Sequence, residues 1–362
     1  MSNKQILLPM DRLGVTSVQE DTMLTINFVT NAKKKYEVKW LLCKERLVTD
    51  KFPEGHIYAN GGFLLNYNVE LINELNELKI TYDLTENCNV GLKINNRKIA
   101  LYNGKGAATF CTDPLMEVLD SSGFGYEILS DDDIRKGLLG EFDIFLVPGG
   151  PDAGEGYYWG LGDKGYKNIK DYVYNKGQYF GICAGAYLPL TSLCKDNRYW
   201  LDLVDATDEQ DLDYWRTGTG FVRIKILDNK HPIMSGLTAG GVNTLDMVYW
   251  EGPAMKPLSS NVNVIATYND FIASGHINNS PRWDLLDNKP AFESVNGWYN
   301  VLTSDRFNNH LKGTAAMLET KINNNKMLLY SPHAEFGNIG IGERSKSQVF
   351  QLITNGLLYL SI

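Results

Sequence analysis

A chain of 362 residues, 43% hydrophobic and 22% charged, is long enough for about two domains of 100–200 residues each and for a sizeable core. Lys and Arg number 35 against 43 Asp and Glu, a formal charge of −8 with a pI near 5.3, which argues against a nucleic-acid footprint or a polybasic membrane surface. No apolar run approaches the ~18 residues of a membrane span, and the stretch before Pro9 holds only Ile6-Leu7-Leu8, too short for a signal-peptide core, so a cytoplasmic location is expected.

Residues 1–96 read as a small β-rich, sandwich-like module. Leu24, Ile26 and Phe28 alternate with polar neighbours at the period of a half-buried strand, and Tyr36 to Leu41, Ile80 to Leu84 and Val90 to Ile94 repeat the pattern. Asn31, Pro53-Glu54-Gly55 and Asn60-Gly61-Gly62 supply turns, and Val69 to Leu78 fits a short helix. From residue 97 to 362 the pattern is different. Strands are expected at 98–102, 126–129, 142–147, 179–182 and 327–330, with helices at 114–122, 168–175 and 345–357. Strands alternating with helices predict an α/β domain of three layers, a mostly parallel sheet with flanking helices. Residues 197–326 are less regular and read as an inserted or elaborated region.

Glycines are abundant, 34 in all, and their positions carry the functional expectation. Tyr179-Phe180-Gly181-Ile182-Cys183-Ala184-Gly185 is a strand running into Gly-x-Cys-x-Gly and then into helix-like sequence. Glycines two before and two after a nucleophile permit a sharp strand-to-helix turn that presents the thiol at the sheet's carboxyl edge. The same pattern also fits a buried cysteine between packing glycines. A second strand ends in Pro332-His333-Ala334-Glu335. In an extended segment, His333 and Glu335 face the same way, as a general base and the carboxylate that orients it. A third ends in Pro148-Gly149-Gly150-Pro151, where backbone N–H groups of Gly150 and Ala184 could receive an oxyanion. Three such motifs at three strand ends point to one site.

Together these segments resemble the class I glutamine amidotransferase superfamily, and more closely the amidotransferase-like domain at the N-terminus of eukaryotic biotin–protein ligases and related stand-alone proteins. The similarity covers roughly residues 97–362 and includes His231-Pro232-Ile233 to Gly236-Leu237. It implies a flavodoxin-like fold, Cys183 as nucleophile, His333 as base, Glu335 as orienter, and an oxyanion hole at Gly150 and Ala184. Glutaminases of this group carry Gln four residues after the nucleophile; Tyr187 stands there, which argues against glutamine as substrate. Pro189 falls early in the helix after the elbow. No biotinyl-adenylate loop is present, so the chain is not expected to ligate biotin itself.

Gly149, Tyr187, Tyr157, Tyr158 and Trp159 are candidate pocket residues, the last three beside a glycine-rich run, 154–165, expected to be a loop. Gly160 to Gly165 matches G-x-G-x-x-G, but the context lacks the preceding strand of a dinucleotide site. No cofactor and no metal are expected: His56, His231, His276 and His310 are isolated, and Asp131-Asp132-Asp133 reads as a solvated turn and helix cap. The five cysteines, Cys43, Cys88, Cys111, Cys183 and Cys194, form no C-x-x-C pair and read as reduced thiols. The expected partner is a small-molecule substrate or ligand, with residues 1–96 available to a protein partner. Three functions remain open at this point: a cysteine-dependent amidase, a catalytically silent binding module on the same fold, and a glutaminase subunit of a synthetase.

Overall fold

The computed structural model describes residues 4–10, 18–42, 46–58, 61–86, 88–193, 197–208, 218–238, 241–274, 301–336 and 349–362. In the N-terminal part lie β1 (Lys4–Pro9), α1 (Val18–Ala32), β2 (Val38–Leu41), β3 (Arg46–Leu47), β4 (His56–Ile57), β5 (Gly62–Asn66), α2 (Val69–Glu77), β6 (Asp83–Glu86) and β7 (Leu92–Lys93). Five of these strands make one antiparallel sheet in the order β6-β1-β5-β2-β7, and β3 pairs only with β4. Among the described residues the module is therefore one five-stranded sheet with helices and a separate two-stranded ribbon, not a sandwich. Leu24, Ile26 and Phe28, expected in a strand, belong to α1. Met23, Ile26 and Val29 are all buried, and that three-residue spacing is the helical signal that the shorter alternation concealed.

The larger sheet is built from β8 (Ile99–Tyr102), β9 (Tyr126–Leu129), β10 (Ile144–Val147), β11 (Gln178–Ile182), β12 (Ala206–Asp208), β13 (Thr219–Ile226), β14 (Thr244–Trp250), β15 (Met255–Pro257), β16 (Asn263–Ser274), β17 (Ala315–Ile322) and β18 (Asn325–Tyr330). Its path runs β14-β13-β16-β17-β18-β11-β10-β8-β9. The five strands from β18 to β9 are parallel, as expected for βαβ units. The remaining pairs along the path are antiparallel. The described part of 197–326 thus continues the same sheet. The helices are α3 (Thr109–Ser121), α4 (Asp131–Lys136), α5 (Ala153–Asn175), α6 (Ala184–Tyr187), α7 (Ser304–Arg306) and α8 (Phe350–Tyr359). One buried apolar cluster runs from Ile6 to Leu360, so the two parts share a core. Residues 345–348 of the last expected helix lie outside the described residues, as do Cys43 and Cys194.

Two helices differ from expectation in ways that matter for the site. α3 begins at Thr109 with Pro114 inside it, so a proline taken as a start signal lies in the second turn, and the turn before it carries Phe110 and Cys111. α5 begins at Ala153 and takes in the run 154–165, which is helix with a kink where Gly162 adopts φ 56° and ψ −172°. The glycines there serve close packing instead of a loop: a Cβ on Gly160 would meet Asp131 Oδ1 at 2.3 Å. Asp131 is buried, not solvated, and accepts from Tyr102 Oη at 2.6 Å and from the Lys105 amide at 3.0 Å. Ser130 and Asp133 cap α4 reciprocally, as the acidic cluster suggested.

The sharpest packing constraint is at the elbow. A Cβ on Gly185 would lie 2.1 Å from the Val147 carbonyl oxygen, backbone that has no rotamer to yield. Gly185→Ala should destabilise the chain by about 2–3 kcal/mol through overpacking. Gly140→Ala, where an added Cβ meets nothing within 4 Å, should stay within about 0.5 kcal/mol. Urea unfolding of both variants checks this; equal stabilities would contradict the close approach.

Candidate active site

Register places three chain segments side by side at one sheet edge. Val147 pairs with Gly181, Gly181 with Leu329 and Ile182 with Tyr330, so β10, β11 and β18 end almost level. Their continuations are Pro148-Gly149-Gly150, Cys183 and Ser331-Pro332-His333. Cys183 follows β11 directly, with its amide donating to the Tyr330 carbonyl at 2.8 Å. Its backbone is at φ 53°, ψ −114°. A side chain larger than glycine at positive φ stores strain of about 1–3 kcal/mol, and such strain concentrates at functional sites. The strain arises because the chain must reverse from strand to helix within one residue.

His333 and Glu335 are both buried, and Nδ1 of the imidazole lies 2.7 Å from Glu335 Oε1. They do not meet by facing the same way along an extended strand. Residues 334–336 form a 3₁₀ turn that brings the carboxylate back to the ring. The ring is held further by stacking on Phe336, with centroids 4.5 Å apart, and by the His333 amide donating to the Val248 carbonyl at 2.9 Å. Burial alone would lower the imidazole pKa, but its interactions with Cys183 and Glu335 outweigh burial and push the group up to about 10. The Cys183 thiol donates to the Trp250 carbonyl at 3.3 Å, and His333 Nε2 has no hydrogen-bond partner.

Gly149 is the point where these groups converge. A Cβ there would sit 2.8 Å from Cys111 Sγ, 3.1 Å from His333 Cε1 and 3.2 Å from Cys183 Cβ. Above them a small solvent-open cleft is lined by Cys183, Ala184, Gly150, Pro151, Ala153, Tyr187, His333, Cys111, Phe110, Trp250 and Glu251. Trp250 stacks on Phe110 with centroids 4.6 Å apart. Glu251 is held at φ 49° with its amide donating to the Gly218 carbonyl at 3.1 Å. Burial pushes the Tyr187 phenol well up, and Asp208 and Glu251 add to it.

Of the candidate residues, Cys183, His333, Gly150, Ala184 and Tyr187 line the cleft, Glu335 stands behind His333, and Gly149 forms the floor. The three aromatics of α5 do not line it. Tyr157 is buried behind Gly149-Gly150 with its hydroxyl donating to the Pro148 carbonyl. Tyr158 packs edge-on against Tyr166 and Tyr199, and Trp159 is 59% exposed. A helix of 3.6 residues per turn sends consecutive side chains in different directions, whereas a loop would have let all three gather at the cleft. Phe110, Cys111, Trp250 and Glu251 were missed. The first two were hidden by the late start assigned to α3. The other two come from the antiparallel strands, although Trp250-Glu251-Gly252-Pro253 does carry the grammar of a strand end. A second buried His–Glu pair, His231 Nε2 to Glu319 Oε2 at 3.0 Å, is completed by Tyr359 and is not part of the cleft lining.

The family model for the biotin-protein ligase N-terminal region matches residues 97–195. Over that segment the chain is similar to the biotin–protein ligase N-terminal family. The match takes in Gly149, Gly150, Cys183, Ala184 and Tyr187, while His333 and Glu335 lie beyond it. Comparison with curated proteins finds no match. Among solved structures, the chain is similar to a putative GMP synthase subunit from Thermoplasma acidophilum, at 12% identity and a TM-score of 0.42, over 73% of this chain and 93% of that one. It is also similar to PurLQS from Thermotoga maritima, at 15% identity and a TM-score of 0.44, over 72% and 98%. A glutamine amidotransferase from the same organism matches at 11% identity and a TM-score of 0.37, over 66% and 76%. Among the described residues, no helix is long and apolar enough to cross a membrane.

The His333–Glu335 contact has a consequence for stability. Glu335→Ala leaves a buried imidazole N–H without its acceptor and should cost about 3 kcal/mol or more. Removing the carboxylate of Asp171, exposed and paired with Lys167, should cost less than about 0.5 kcal/mol. Chemical denaturation of the two variants compares them, and equal losses would show that the His333–Glu335 contact contributes nothing special.

Proposed function

We propose that the chain is a cysteine-dependent hydrolase acting on an amide or a related C–N bond. The observation that carries this reading is Cys183 itself, held at positive φ on the strand-to-helix turn, in a cleft that His333 also lines. In the proposed first step Cys183 Sγ attacks the acyl carbon while its proton passes to His333 Nε2. The oxyanion is received by the N–H groups of Gly150 and Ala184. His333 returns the proton to the leaving nitrogen, the amine departs, and a thioester remains. Water then gives a proton to His333 and attacks the thioester, releasing a carboxylic acid and restoring the thiol. Glu335 orients the ring through Nδ1 and offsets its positive charge. Tyr187 in place of a glutamine-binding amide, with Glu251 in the same wall, argues for a substrate other than glutamine.

One observation favours a second reading, a binding module without turnover: the thiol donates to the Trp250 carbonyl. Catalytic hydrogen bonds are often loose without substrate, which is why the first reading leads. Limiting iodoacetamide at neutral pH, followed by peptide mass spectrometry, separates the two. The hydrolase reading expects Cys183 to be alkylated at least about tenfold faster than Cys43, Cys88, Cys111 and Cys194. It also expects Cys183→Ala to abolish any turnover. Labelling of Cys183 at the same rate as the other four, or more slowly, would support the silent module.

A further inference from the structure

Cys111 has no role in the proposed hydrolysis, yet it lies in the same pocket as the residues that do. Cys111 Sγ, an imidazole nitrogen of His333 and a carboxylate oxygen of Glu335 all lie within 4.8 Å of one another. All three side chains are buried. Two polar atoms in the group, His333 Nε2 and Glu335 Oε2, have no hydrogen-bond partner. Buried polar atoms normally find partners, so two orphaned atoms on residues of one buried cluster leave ligating capacity unused. Cys111 and His333 also line the cleft, which gives an ion a route in from solvent.

We propose that Cys111, His333 and Glu335 form a binding site for a zinc-class cation. The donor set of one thiolate, one imidazole and one carboxylate suits a borderline-soft divalent ion and not calcium or magnesium, which take oxygen ligands. Three protein ligands with a position open to the cleft is the arrangement of an accessible zinc site, not of a closed structural one. Binding forms metal–sulfur, metal–nitrogen and metal–oxygen bonds and releases to solvent the Cys111 thiol proton and the proton of the ligating His333 nitrogen. The donor atoms, all within 4.8 Å of one another, would close around the ion, and the Ala334–Phe336 turn that carries Glu335 is the segment that would adjust. Occupancy takes His333 away from Cys183, so the metal-loaded chain should lose the hydrolytic reactivity of the cleft. The metal site itself requires neither turnover nor the Cys183 thiol. In sequence it was invisible, because Cys111 and His333 sit on segments far apart in the chain.

The test uses the full chain carrying Cys183→Ala, which removes the neighbouring sulfur, in equilibrium dialysis against zinc and titration with cobalt(II). The expected result is one zinc per chain and a thiolate-to-cobalt charge-transfer band. Both should persist in a further Cys88→Ser variant and be lost with Cys111→Ser. X-ray absorption of the zinc-loaded Cys183→Ala chain supplies a readout that needs no further variant to fold: one sulfur at about 2.3 Å with nitrogen and oxygen ligands near 2.0–2.2 Å. No stoichiometric zinc, zinc bound by nitrogen and oxygen alone, or a charge-transfer band that survives Cys111→Ser overturns the proposal. None of these outcomes bears on whether wild-type Cys183 reacts with iodoacetamide, so the two proposals fail separately.

Discussion

The backbone of Gly185 lies so close to the carbonyl of Val147 that no side chain fits between them, and the whole site depends on this approach. It locks the turn after β11 against the end of β10. Parallel pairing of β11 with both β10 and β18 then sets the height at which the three chains leave the sheet. A slip of one residue in either pair would reverse which side chains face which layer and would separate Cys183 from His333. The positive φ of Cys183 follows from the same constraint: a strand held on both sides must turn at once, and the residue at the turn takes the strain.

The antiparallel half of the sheet completes what the parallel half begins. β14 delivers Val248, whose carbonyl anchors the His333 amide, and Trp250, whose carbonyl accepts the Cys183 thiol. Trp250 and Glu251 then form one wall of the cleft, facing Phe110 and Cys111 from the first turn of α3. Residues 197–326 therefore help shape the pocket. Because β13, β14, β16 and β17 extend the same sheet from β18, any disturbance of β18 would be felt both at His333 and along this wall.

Much of the parallel sheet and the three strand-end motifs was legible in the sequence, because short apolar runs ending in Gly, Pro or Cys are local signals. Where local pattern was ambiguous, expectation and structure part. Leu24, Ile26 and Phe28 alternate like a strand, but Met23, Ile26 and Val29 bury a helical face. The glycines of 154–165 suggested freedom, whereas Gly160 is small so that Asp131 can approach it. The sequence held no signal tying the other residues of the cleft to Cys183, although Trp250-Glu251-Gly252-Pro253 has the pattern of a strand end. Phe110, Cys111, Trp250 and Glu251 reach the pocket through tertiary packing, and no spacing rule links them to Cys183 or His333.

The central claim is that Cys183 is a nucleophile able to carry an acyl group. The most direct measurement is incubation of the wild-type chain with p-nitrophenyl acetate, following nitrophenolate release and the intact mass together. The account predicts a burst of nitrophenolate and a single acetyl group located on Cys183, with both absent in Cys183→Ala. Acetylation spread over lysines, or a burst undiminished in Cys183→Ala, would contradict it.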